Sequence, residues 1–217
     1  MYELPLFPLN TILYPSMPLH LHIFEDRYKS MIDRCIAEDT PFGVVLIKSG
    51  NETGGTAEPH TIGCTAKIEQ IQPLENGRMN MSAIGHTRFK IHQLKHDEPY
   101  LVGLVEYLPF NIELSKKDYA KGKHLKTLLK NYIDVLSSIG DINIHTEYLP
   151  TEPIQLAYMA AMLLQAPREK KQDFLKIEQG DELIQAVYDS CRHEISVLRN
   201  MLDPAASPRQ DGPFSLN

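Results

Sequence analysis

The apolar positions change period near residue 110. Before it they alternate or run in short blocks, and after it they recur every three or four residues. A strand-rich half is therefore expected before a helical one. From Tyr2 to Ile23, Pro5, Pro8, Pro15 and Pro18 interleave with Leu, Ile, Phe and Tyr. Proline lacks a ladder donor and blocks helix, so this stretch is expected as short extended segments joined by turns. Asp26 can cap a helix whose stripe is Tyr28, Met31, Ile32, Cys35 and Ile36. After Pro41, Phe42 to Ile47 is a nearly unbroken apolar run, which suits a buried strand.

Ser49 to His60 carries three glycines and a proline among polar residues and reads as a long exposed loop. Ile62, Cys64, Ala66 and Ile68 then alternate, and Asn76-Gly77 marks a tight turn needing positive φ. The returning strand places Met79, Met81, Ala83, Phe89 and Ile91 on odd positions, opposite Arg78, Asn80 and Ser82. Tyr100 to Leu108 alternates again through Val102, Leu104 and Glu106.

In the second half, Ser115 is placed to cap a helix to about Ser138 with Leu125, Leu128, Leu129, Tyr132, Ile133 and Leu136 on one stripe, ended by Gly140. Thr151 is placed to cap the next, with Pro153 in its first turn and Ile154 to Leu164 apolar on nearly every side, as at the centre of a bundle. Pro167 opens a short helix. Gly180-Asp181 separates it from a long one carrying Ile184, Val187, Tyr188, Cys191, Ile195, Leu198 and Leu202.

Composition narrows the choices. Twenty-two Lys and Arg against 28 Asp and Glu give a net charge of -6, which opposes nucleic acid unless basic residues gather on one face. The three cysteines form no CxxC pair, and the N-terminus lacks the pattern of a secretory signal, so a reducing cytoplasm is expected. The most apolar window, Ile154 to Leu164, falls short of the roughly 20 residues of a membrane span.

Leu4 to Ile32, LPLFPLNTILYPSMPLHLHIFEDRYKSMI, resembles the opening of the amino-terminal substrate-binding domain of Lon proteases. It has a strand with paired prolines, an apolar stretch, a proline before a second strand, and a helix. PFGVVLI at Pro41 to Ile47, the hairpin Ile62 to Ile91 and YLVGLVEYL at Tyr100 to Leu108 follow in that family's order. The resemblance implies an α+β protein: a PUA-like β-rich pseudo-barrel over residues 1–110, then a helical bundle over 111–203. Residues 204–217, rich in Pro, Ser and Gly, are expected as a flexible tail. Gly63 and Gly85 look like structural positions, the latter a bulge or a close backbone approach.

The function so implied is non-catalytic recognition of unfolded polypeptide or a partner protein, linked to protein quality control. A related domain in cereblon-type proteins serves protein interaction. Self-association is left open. The ATPase of Lon proteases needs a phosphate loop GxxxxGK[ST], and no glycine here fits it; Gly122-Lys123 is followed by His124. Their peptidase needs a serine and a lysine base in a domain following the helices, so neither catalytic residues nor a cofactor are expected here.

Other chemistry is weaker. His20 and His22 share a strand face near Glu25 and suggest a metal or small-molecule sensor, but two polar residues on a wet face explain them as well. Cys35, Cys64 and Cys191 fall on apolar faces, where a thiol is packing rather than a nucleophile. Lys116, Lys117, Lys121, Lys123, Lys126 and Lys130 crowd the start of the long helix after Ser115 and offer the case for a PUA-like RNA-binding module, though only some can share a face. For polypeptide binding, which needs a hydrophobic groove or an open strand edge, Leu19, Leu21, Ile23, Phe24, Met79 and Met81 supply apolar, adaptable side chains in the strand-rich half. Core packing is their alternative role.

Overall fold

The computed structural model describes residues 1–54, 57–140 and 145–202; the tail expected at 204–217 and two residues of the Ser49 to His60 loop lie outside them. Seven strands are described: β1 (Tyr2–Leu9), β2 (Pro18–Ile23), β3 (Phe42–Ser49), β4 (Glu58–Pro59), β5 (Ile62–Pro73), β6 (Met79–Lys95) and β7 (Leu101–Tyr107). Helix α1 (Asp26–Glu38) lies between β2 and β3. After the strands come α2 (Lys116–Ile139), α3 (Pro153–Leu163), α4 (Arg168–Lys176) and α5 (Gly180–Leu202).

The strands run β1-β7-β6-β5-β3 and close on β1 through a parallel pairing of Leu6–Leu9 with Gly43–Leu46. Strand β1 is staggered: Tyr2 to Leu6 pairs with β7, and Leu6 to Leu9 with β3. Each half thus has one side to which no described strand pairs, which is how Pro5 and Pro8 sit in a closed sheet without a missing ladder bond. Leu4, Leu6, Val45, Phe89, Ile91 and Val105 fill the barrel. Their bulk is accommodated by glycine: a β-carbon on Gly43 or Gly63 would stand 2.7 Å from Phe89 Cζ.

The odd positions of β6 do not keep one face. Cys64 pairs with Arg88 but Ala66 with Gly85, so β6 carries one extra residue there. Such a bulge reverses the alternation. Met81 and Ala83 therefore pack in the outer core with α1, whereas Phe89 and Ile91 point into the barrel and Arg88 turns outward towards the helices. Gly85 also meets the chain at Tyr14: Ser16 N–H donates to Gly85 O at 2.7 Å and Gly85 N–H to Met17 O at 2.9 Å. Closure covers both faces of β7, so Val105 is buried inside and Val102 outside, with Leu104 half-buried.

The Asn76-Gly77 turn is tight, with φ of 60° and 65° and Arg78 N–H to Glu75 O at 3.4 Å. Ser115 caps α2 in a reciprocal box with Asp118, and Gly140 follows its last residue. Two caps differ from expectation. Glu25, not Asp26, precedes α1; Asp26 is already helical and pairs with Lys29. Glu152 rather than Thr151 precedes α3, because its backbone is still extended and Pro153 opens the helix.

A second, larger core joins the outer barrel face, α1 and the helices without interruption. Helix α3 is its centre, with Leu156, Ala157, Tyr158, Ala160 and Ala161 buried. Gly122 of α2 lets Pro153 approach; a β-carbon there would stand 2.8 Å from Pro153 Cβ. No described helix is long and apolar enough to cross a membrane.

Candidate functional site

Two concave features stand out. The first follows the edge of β5. Pairing with β3 ends at Ala66, while pairing with β6 continues to Pro73. Beyond Ala66, β5 therefore has an edge to which no described strand pairs. Consecutive residues Lys67 to Ile71 line a groove of about 550 Å³ whose other wall is the end of α1, with Cys35, Ile36 and Thr40, and Tyr107 at one side. Ile36 is 48% and Tyr107 47% exposed. Ile36, expected in the buried stripe, thus faces solvent at the groove.

The second lies at the joint of barrel and helices, where side chains reach from the barrel half to α4 and from α4 back to the barrel. Tyr14 donates to Lys171 O at 2.8 Å and Gln172 Nε2 to Ile62 O at 2.8 Å. Arg88 Nη1 donates to Leu175 O at 2.8 Å and also to Ile177 O, while Nη2 donates to Pro109 O at 2.8 Å. The guanidinium sits over the Phe110 ring at 4.8 Å and meets the carbonyl end of α4, the negative end of its dipole. Burial works against its charge and lowers its pKa, yet guanidinium stays protonated. Above this arginine opens a cavity of about 470 Å³, walled by Phe110, Ile112, Leu114, Tyr119, Ile154 and Tyr158.

The residues singled out in the sequence are dispersed. Leu19, Ile23 and Met81 are buried in the core, Leu21 and Met79 half-buried against it, and Phe24 is 50% exposed beside His22. The signal missed was the end of the β3 pairing, beyond which Ile36 is exposed and Ile68 and Ile71 are half-buried against the core; no local pattern marks it. His22 bonds Asn80 at 2.9 Å and Glu25 pairs with Arg27 at 2.9 Å, so neither turns to His20. Among the described residues no three metal-ligating side chains converge. All three cysteines are free and buried, and burial raises their thiols, to about 11 for Cys35 and about 12 for Cys64 and Cys191. Such thiols are poor nucleophiles at neutral pH.

The lysines do not form one surface. Lys116, Lys123 and Lys130 recur two turns apart on an exposed side, Lys117 and Lys121 lie on another, and Lys126 donates to Leu149 O at 3.0 Å.

A closed barrel joined to helices in this way is the fold of Lon amino-terminal domains. It is similar to the Lon N-terminal domain protein from Xanthomonas campestris (TM-score 0.65, 21% identity, 85% of this chain and 96% of that one). The N-terminal domain of Mycobacterium avium complex Lon protease is likewise similar (TM-score 0.67, 18% identity, 88% and 98%). The family model for the ATP-dependent protease La (LON) substrate-binding domain matches residues 3–191, and the chain belongs to that family. Its sequence is 25% identical over 198 residues to Lon protease of Brevibacillus choshinensis and 25% identical over 211 residues to Lon protease 2 of Myxococcus xanthus. The matches cover 90% and 93% of this chain but only 25% of either relative.

Proposed function

We propose that this protein recognises polypeptide without transforming it, and that an extended segment docks as an added strand along β5 from Lys67 to Ile71. The observation that carries this reading is a groove that sets Ile36, Ile68, Ile71 and Tyr107 among polar side chains, beside a strand edge to which no described strand pairs. Main-chain groups on such an edge supply affinity for any sequence, and the pockets between Ile36, Ile68, Ile71 and Tyr107 select apolar side chains. Membership in a substrate-binding domain family supports polypeptide as the occupant. Buried, unactivated thiols and scattered histidines support binding rather than turnover.

The test is fluorescence anisotropy of a labelled, carboxymethylated unfolded polypeptide, compared with single-stranded RNA, across a salt series. Apolar strand addition predicts binding that changes little with salt, and a loss of at least about tenfold in Ile36→Glu, which puts a desolvated charge in the groove. Binding of RNA alone, weakening steeply with salt, would overturn the proposal in favour of a nucleic-acid module.

A further inference from the structure

The β5 groove is lined by charge as well as by apolar side chains, and the charge is unevenly matched. Asp39 and Glu69 are exposed in its wall, and among the described residues neither has a basic partner; Lys67 is the cation beside them. Thr40, Pro41 and Tyr107 also line a smaller recess of about 300 Å³. Through them the groove continues past the start of β3 to the side of Tyr2–Pro5 to which no described strand pairs. In that recess one cation, Arg34, serves two carboxylates, Glu38 at 3.0 Å and Glu98 at 3.4 Å, while Glu3 is matched by Lys95. The end of α1 adds to the excess. Its last turn holds no basic residue, Glu38 closes it, and Asp39 follows with a φ of 48°. Carboxylates at the carbonyl end of a helix work against its dipole, and asparagine or glycine would serve the left-handed cap without the charge.

The edge itself discriminates between occupants. Ile68 pairs with Ala83 and Gln70 with Ser82, so Glu69 is an extra residue that bulges from the β5 ladder. A second copy pairing antiparallel about the middle of Lys67 to Ile71 would set Glu69 against Glu69, and like charges directly opposite are destabilising. A foreign strand with lysine or arginine at that place gains an opposite-charge pair instead. The half-exposed ring of Tyr107 offers a cation an aromatic face in the same groove. We infer that the groove selects extended segments in which a lysine or arginine stands beside apolar residues: the apolar side chains go to Ile36, Ile68 and Ile71, and the basic one to Asp39 and Glu69. This rests on the reading of β5 as the docking edge and adds the charge of what docks there.

The experiment measures, by calorimetry on the full chain, the affinity of three acetylated and amidated heptapeptides, Ser-Ile-Thr-Xaa-Val-Ile-Ser, with lysine, glutamine or glutamate at the variable place. At low salt the lysine peptide should bind at least about threefold more tightly than the glutamine peptide, and the glutamate peptide more weakly than both. High salt should shrink these differences, because exposed charges are screened. In the double variant Asp39→Asn, Glu69→Gln the three affinities should converge, with the glutamine peptide and the urea midpoint unchanged. Ile36→Glu should weaken the glutamine peptide about tenfold. Equal affinity of the three peptides for the unaltered protein, with Ile36→Glu still weakening the glutamine peptide, overturns the inference and leaves the groove reading standing. A lysine preference that survives in the double variant also overturns it, by assigning the preference to the net charge of -6. Ile36→Glu without effect on the glutamine peptide, or no binding of any of the three, is the failure of the groove reading, and the inference falls with it.

Discussion

The carbonyl oxygen of Tyr14 lies 2.1 Å from where a β-carbon on Gly85 would stand. Two backbone hydrogen bonds fix that approach, so the segment before β2 cannot withdraw without losing both. Gly85→Ala should therefore cost about 3 kcal/mol, read as a lowered urea midpoint at unchanged slope. A loss below about 1 kcal/mol would mean that the segment moves freely.

Arg88 gives donors to carbonyls from three residues, Pro109, Leu175 and Ile177. Replacing it by methionine keeps much of the stem but leaves those acceptors unpaired in the interior. The expected loss is about 3 to 4 kcal/mol. Arg88→Lys should recover only part of it, because one ammonium cannot serve the same fork of directions. Chemical denaturation of both variants decides; full recovery of wild-type stability by Arg88→Lys would show that charge, not geometry, matters.

The buried thiols make stability depend on alkaline pH. Cys64 and Cys191 are held above their usual value of 9.0 by burial, to about 12. The folded state thus keeps its protons while the unfolded state releases them. Stability is fully present below about pH 9 and falls as pH rises towards 12, by about 1 kcal/mol per thiol at pH 10. Urea titrations at pH 7.5 and 10 should show the fall, and Cys191→Ala should reduce its pH-dependent part. Alkylation by iodoacetamide at pH 8 should be slow in buffer and fast in urea.

The apolar residues of β2 and β6 divide by burial. Leu19→Ala and Met81→Ala should each cost roughly 2 to 4 kcal/mol, since both side chains are buried. Phe24→Ala should change stability by less than about 0.5 kcal/mol. If Phe24→Ala also leaves polypeptide affinity untouched while Ile36→Glu lowers it, the docking surface lies along β5 and not at β2.

Local signals carried much of the fold. Asn76-Gly77 specified its turn because the two residues tolerate positive φ, and Ser115 with Asp118 specified the start of α2 through hydrogen bonds spanning three residues. Gly85 could be read as a close approach, although its neighbour Tyr14 could not be named. Arg88 was opaque for a different reason. Its position in the alternation assigns it to the wet face with Arg78 and Asn80, and only the extra residue between Gly85 and Arg88 turns it towards α4. The edge of β5 was opaque too, since it exists where β3 stops pairing, a fact set by two segments distant in sequence. Of the six apolar residues first considered for binding, the structure leaves only Phe24 largely in solvent.

The pairing of Tyr2 with Val105 has a consequence for how the protein is made. Strand β1 leaves the ribosome roughly 100 residues ahead of its β7 partner, on the order of ten seconds of synthesis. Until then Leu4 and Leu6 have no barrel to fill, and among the described strands the parallel contact with β3 is the ladder that β1 can form early. A chaperone that binds nascent apolar strands would find residues 2–9 available for that interval, and slowing translation before β7 should lengthen it.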